Sequence, residues 1–368
     1  MKRTLFLFMI ISCYKAYSQG AAGFFDDRRF FYTYMNGHIS RQEIMPIDTF
    51  YPSLHYVSYI DRNGNFKLIV NHKKYVIFPI RPDKLQVSNY LMAYTQGLQL
   101  GVFNGKVSKK IETFTRNEFK LGDSILAYID NYDVLKVYIY DTVYSLMNFS
   151  SADRYMVSDN MVIYKTLDEK LKVFYNQSIY DVEEVYPSSI KKGKNVVAYM
   201  DYLDNFKVFD RGNKFTLETY PIEDFEVSND IVTYSNNVNE WIAYSAGQKI
   251  SLLSTSPRMK EQKRNILVYA DNAGNFFMLY RGKKVQLENY TPLKFEIWDD
   301  LLVYEDVYRV LWGVYRGEKI KISRGIVKGE WQLQKRAVVY WDLTPSIKMV
   351  WDNGNTYEYS EEEDPSKK

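Results

Sequence analysis

A chain of 368 residues, 46% hydrophobic and 25% charged, has ordinary globular composition and room for one large domain or two modest ones. Its formal net charge of +3 is too small to demand nucleic acid or a membrane surface as partner. The 34 Tyr and 21 Phe bring aromatics to 17%, a bias toward half-buried pleated surfaces, and helix-period stripes are hard to find, so the expected fold class is all-β.

The first residues read as an address. Lys2 and Arg3 precede a mostly apolar run from Thr4 to Ser12, and Ala16-Tyr17-Ser18 supplies a small-residue site. Residues 1–19 are therefore expected to be a secretory signal peptide cut near Ser18 or Gln19. The apolar run is too short to cross a bilayer, and no later stretch approaches eighteen apolar residues, so the mature chain is expected to lack a transmembrane segment. Cys13 is the sole cysteine. It leaves with the signal in one reading; in the other it is a lipidated first residue anchoring the protein to the outer membrane, against which the short apolar run counts. Neither reading leaves an internal disulfide in the mature chain.

From there on the chain repeats. A landmark tyrosine recurs at Tyr59, Tyr94, Tyr128, Tyr164, Tyr199, Tyr234, Tyr269, Tyr304 and Tyr340, a period of about 35 residues with one-residue jitter. Each of these nine units parses into four short strands. The first is typified by Phe225-Glu226-Val227 and turns at Asn229-Asp230; the second is the run from Ile231 to Tyr234. The third runs from Phe206 to Phe209, and the fourth from Phe215 to Tyr220. Between third and fourth strands stand Asn104-Gly105, Arg211-Gly212, Ala246-Gly247, Arg281-Gly282, Arg316-Gly317 and Asn353-Gly354, the chemistry of a two-residue hairpin. A further half unit, Phe30 to Ile44 with its Asn36-Gly37 turn, aligns with third and fourth strands only. One such small sheet cannot cover both its faces, but radial stacking does.

In repeat length and strand pattern the unit resembles a propeller blade of the WD-repeat or YncE-like kind, especially those of propellers exported by Bacteroidota; the Trp-Asp and Gly-His dipeptides of true WD repeats are not repeated in register. The resemblance implies a β-propeller of about nine four-stranded blades over residues 20–360. A single ring is favoured because no linker interrupts the chain, with two smaller rings or an open stack as alternatives. Residues 361–368, opening with Glu361-Glu362-Glu363-Asp364, read as a disordered tail.

Candidate chemistry is sparse. Two residues after the landmark stands Asp in six units: Asp61, Asp130, Asp201, Asp271, Asp306 and Asp342. These are either a ring of rim carboxylates for cations or basic partners, or Asx residues that satisfy strand-to-turn backbone, and regular recurrence favours the latter. The stretches around Asp61 and Asp271 lack the closing Glu of a calcium loop. His38, His55 and His72 have no ligand-like spacing, so no metal or cofactor is expected. No nucleophile elbow or phosphate loop is present, which argues against an enzyme, although two rim Asp could in principle serve glycoside cleavage.

Departures from the repeat are better clues. Lys191, Lys192 and Lys194, and Lys260, Lys263 and Arg264, fill the first-strand slot two units apart, predicting one basic patch for an acidic partner surface; lysines protecting a sheet edge are the alternative. Five of six Trp fall in the last three units, among them Trp312 and Trp341, an aromatic surface for carbohydrate or packing between blades. The expectation is a non-catalytic periplasmic scaffold for protein–protein interaction, an accessory subunit of an envelope complex such as protein secretion machinery. A carbohydrate-binding or carbohydrate-cleaving propeller and a lipid-anchored ligand sensor are the rivals.

Overall fold

Tyr199 shows how one repeat is built. It lies in Val196–Met200, whose five residues are all buried. That strand is flanked by Ser189–Lys192 and Phe206–Asp210, and Asn213–Glu218 completes an antiparallel sheet in chain order. Branched and aromatic side chains fill both faces of the two middle strands because a neighbouring sheet covers each face. The hairpin between third and fourth strands needs left-handed backbone at both turn residues, and Arg211 and Gly212 take φ of 49° and 94°. A Cβ on Gly212 would also sit 3.1 Å from Tyr180 of the preceding sheet, which leaves glycine as the residue that fits.

The computed structural model describes residues 21–26, 28–148, 155–341 and 347–360. The signal-peptide and tail expectations, and with them Cys13, lie outside these residues, as does Asp342. Ten sheets are present. Nine have four strands, at residues 49–78, 84–112, 115–148, 155–183, 189–218, 225–253, 259–288, 294–326 and 332–360 (blades 2 to 10). Blade 1, residues 21–43, has three: Ala21–Phe25, Phe31–Met35 and His38–Glu43. The blade count of nine is thus corrected to ten. The half unit gains Ala21–Phe25 as its second-strand equivalent, so it is a blade without the usual first strand.

The blades form one closed ring. Among the described residues each pair of sequential blades shares its own apolar cluster, from Phe31 with Tyr59 between blades 1 and 2 to Leu301 with Trp351 between blades 9 and 10. A tenth cluster joins the ends: Ala22, Phe24, Tyr32 and Tyr34 pack on Ala337, Val339 and Val350. Gln334 Nε2 donates to the Gly23 carbonyl at 2.8 Å, the Gly23 N–H donates back to Gln334 Oε1 at 2.9 Å, and Tyr34 donates to Asp352 at 3.0 Å. Two rings or an open stack would lack this tenth interface.

At four positions the landmark tyrosine latches its blade to a glutamate of the one before. Tyr59, Tyr199, Tyr234 and Tyr304 donate to Glu43, Glu183, Glu218 and Glu288 at 2.6–2.8 Å, each acceptor ending the fourth strand of the preceding blade. A bulge places that Glu: Phe206 pairs with Glu218 but Lys207 with Thr216. Lys67, Lys207, Lys249 and Lys319 bind the same carboxylates, so the buried ends of these latches are charge-balanced.

First strands of adjacent blades touch one another and line the central channel. The meander then assigns the turns to two faces. Turns between first and second and between third and fourth strands share one face, here called proximal; turns between second and third strands and the links between blades share the distal face.

Candidate functional site

The first-to-second-strand turns converge around the proximal mouth of the channel. Their side chains form a ladder from blade to blade. Asn89 Nδ2 donates to Asp123, Ser124 to Asn160, Asn160 to Asn195, Asn195 to Asp230, Asn229 to Asn265, and Asn265 to Asp299 and Asp300, all at 2.8–3.0 Å. Neighbouring turns approach so closely that a Cβ on Gly193 would lie 2.0 Å from the Ser228 carbonyl, while the Ser158 hydroxyl donates to the Gly193 carbonyl.

Inside this ladder, charges pair between blades distant in sequence. Arg264 of blade 8 reaches Asp159 of blade 5 at 3.0 Å and Asp123 of blade 4 at 3.5 Å, and Lys194 of blade 6 reaches Asp123 at 3.8 Å. The Trp298 ring has the Arg264 guanidinium 4.6 Å from its centroid and the Lys335 ammonium 4.0 Å from it. Burial, reinforced by the neighbouring Asp123, pushes the Asp159 carboxyl up to about 6, although Arg264 and Lys194 pull the other way. Burial, with the Arg264 charge adding to it, brings Lys335 down to about 8.

The six basic residues expected to form one patch divide instead. Successive strand residues point to opposite sides, so the Lys191-Lys192 pair splits. Lys191 turns to blade 7, where it donates to Asp224 at 2.8 Å and to the Phe225 carbonyl at 2.5 Å and lies 5.0 Å from the Phe225 ring centroid. Lys260 pairs with Glu226 at 2.9 Å beside a cavity of about 490 Å³ lined by Glu223, Asp224, Glu226 and Trp241. Lys192, Lys194, Lys263 and Arg264, by contrast, line one cavity of about 350 Å³ in the channel wall with Asp159, Ser228 and Asn229. In place of the single basic patch stand a channel-side cluster of four and two lysines, Lys191 and Lys260, each paired with a carboxylate of blade 7.

On the distal face the recurrent Asp residues close their own turns. Asp61, Asp130, Asp201 and Asp306 each accept from backbone N–H groups two and four residues on, at 2.8–3.0 Å, and Asp271 accepts from Asn275 at 2.9 Å. Lys67, Lys136 and Lys207 add ion pairs of 2.7–2.8 Å to Asp61, Asp130 and Asp201. Burial alone would raise Asp61, but Lys67 and the Asn65 groups outweigh it and bring the carboxyl down to about 2. These carboxylates stand one to a blade, and the structure does not bring them together. Beyond them the turn tips expose Tyr132, Leu167, Tyr202, Leu203, Val238 and Tyr308, each more than 60% accessible.

Trp312 is half-buried: its indole donates to Asp306 at 2.9 Å and the Lys319 ammonium lies 4.5 Å from its ring centroid. Trp341 is half-buried at the end of Ala337–Trp341, so the two share no open aromatic platform. His38 and His72 meet edge to face at 5.5 Å, while His55 packs against Tyr90 at 5.9 Å. Among the described residues no group of three His, Cys, Asp or Glu is arranged to hold a metal. Among them, too, no helix is long and apolar enough to cross a membrane.

Residues 15–357 match the 10-bladed beta propeller domain. The chain belongs to that family. Its ten sheets agree in number with the family's description. The 10-bladed propeller has solved structures similar to it in fold alone. The computationally designed Ika8 protein is 14% identical, with 73% of this chain and 94% of that one covered and a TM-score of 0.30. The CRINKLY WD40 ectodomain of the Arabidopsis thaliana receptor kinase ACR4 is 9% identical, with 65% and 94% covered and a TM-score of 0.33. PorZ of Porphyromonas gingivalis, described as an essential surface component of the type-IX secretion system, is 9% identical; 92% of this chain and 58% of that one are covered, with a TM-score of 0.29. No curated protein sequence matches the chain.

Proposed function

We propose that this 10-bladed propeller is a non-catalytic scaffold of the bacterial envelope that docks a protein partner on its distal face. The observation that carries the reading is the crown of exposed Tyr, Leu and Val side chains on turns of blades 4, 5, 6, 7 and 9, each turn capped from within by its own Asp130, Thr166, Asp201, Asn236 or Asp306. Large apolar groups displayed together on a rigid support are what protein interfaces bury, and Tyr carries a large share of such binding energy. The signal-like start of the sequence supports an envelope setting, and a periplasmic accessory subunit is the role proposed within it.

Affinity purification of the tagged protein from gently solubilised native envelopes tests this reading. One partner should co-purify in stoichiometric amount, and replacing Tyr132, Tyr202 and Tyr308 together by Ser should release it while leaving the melting temperature within about 2 °C. A protein that always elutes alone, or a triple variant that keeps its partner, overturns the proposal.

A further inference from the structure

The distal crown leaves the channel cavity between blades 5 and 8 unexplained. Four cationic side chains enter it from two blades, Lys192 and Lys194 from blade 6 and Lys263 and Arg264 from blade 8, with blade 7 between them supplying Ser228 and Asn229. The anions available to them are few. Asp123 takes Lys194 and Arg264, and Asp159 takes Arg264, while Asp299 attracts Lys194 and Asp159 attracts Lys192 from farther off. Among the described residues no carboxylate stands within ion-pair distance of Lys192 or Lys263; Lys192 has only the Val157 carbonyl as acceptor. The Ser228 hydroxyl, also in the wall, is shielded and makes no hydrogen bond. The neighbourhood thus holds more positive charge than it neutralises, together with an idle hydroxyl.

We propose that this cavity binds a compact multivalent oxyanion of the phosphate class, free in solution, through Lys192, Lys194, Lys263 and Arg264 with Ser228 as a further donor. Charge and shape both fit. About 350 Å³ lies within the range of small-ligand sites and accepts a phosphate or pyrophosphate group with some water. Cations from the two blades that flank blade 7 meet a tetrahedral anion from more than one direction, where a planar monocarboxylate would engage only some of them. The turn ladder and the close Gly193–Ser228 approach hold the walls in place before any ligand arrives, so little ordering free energy opposes binding. Burial lowers the Lys192 pKa, Asp159 partly offsets it and Lys120 adds to it, and an entering anion relieves the repulsion from Lys120. The site is on the opposite mouth from the proposed docking crown and stands whether or not that crown has a partner.

Isothermal titration of the intact protein with inorganic pyrophosphate, at fixed ionic strength, tests it. One equivalent should bind saturably, acetate should not, and affinity should fall steeply as salt rises. Lys192→Gln and Lys263→Gln should each weaken binding about tenfold or more, whereas Lys192→Arg, which keeps the charge, should retain it. Lys260→Gln, on the other side of its strand and paired with Glu226, should bind as the parent does. Absence of saturable binding, or equal affinity in the Lys192→Gln/Lys263→Gln double variant with its thermal transition intact, overturns the proposal.

Discussion

The two faces of the ring carry carboxylates in similar number but use them in opposite ways. On the distal face Asp61, Asp130 and Asp201 each stand inside a cage of their own blade, receiving two backbone N–H groups and a lysine, and are held below the ordinary carboxylate range. On the proximal mouth Asp123 and Asp159 crowd each other across blades and depend on cations arriving from elsewhere in the ring. One face spends its charge on local architecture; the other leaves charge imperfectly matched around a cavity. A repeat that fulfils its structural duties in every blade is free to vary only where the copies meet, at the channel.

That contrast can be broken by mutation. Asp201→Ala should cost about 3 kcal/mol in urea unfolding, because it orphans two turn N–H groups and leaves the partly buried Lys207 with Glu183 as its one carboxylate. Asp159→Asn should be neutral or stabilising at pH 7, by no more than about 1 kcal/mol, since the ionised form is disfavoured where it sits. Equal losses at the two sites would show that the faces do not differ.

Acid titration gives a second, smaller contrast. Asp61, Asp130 and Asp201 on the distal face are held below the ordinary carboxyl range, so their contribution is complete above about pH 4 and declines as pH falls toward 2. Asp159 works in the other direction. Its folded form keeps the proton up to about pH 6 while the unfolded chain has released it, so lowering the pH from 7 toward 5 should strengthen the fold by about 1–2 kcal/mol. The urea midpoint should therefore rise and then fall as pH drops, and Asp159→Asn should reduce the rise, leaving the part due to the likewise raised Asp299, and spare the fall.

The smallest effect sharpens the role of the latches. Tyr234→Phe removes one hydrogen bond, while Glu218 keeps Lys249, so about 1 kcal/mol should be lost. A much larger loss would mean that the tyrosine hydroxyl, and not the surrounding apolar cluster, holds adjacent blades.

Much of this architecture was legible because each blade repeats the same problem, covering two apolar faces, and solves it with the same residues at the same interval. Tyr199, Arg211-Gly212 and Asp201 announce a strand, a hairpin and a capped turn by their own chemistry. The tenth blade escaped because Phe24 stands 35 residues before Tyr59, where every other copy has the landmark Tyr. The site was legible only as a departure from pattern. Lys191-Lys192-Gly193-Lys194 reads as one basic run, but strand alternation sends its members to different sides. Nothing local to Arg264 indicates a partner 105 residues away, because that meeting is set by the number of blades and the closure of the ring.

The seam between blades 1 and 10 has a consequence for how the molecule comes into being. Every blade is made from one uninterrupted stretch of chain, and the Gln334–Gly23 and Tyr34–Asp352 contacts join the ends through side chains, not through a shared sheet. Each blade is thus able to form and settle on its predecessor as synthesis proceeds, with no need to await a distant strand. Only the clasp of first to last must wait for the whole chain, which makes it the natural place to cut and rejoin a permuted version.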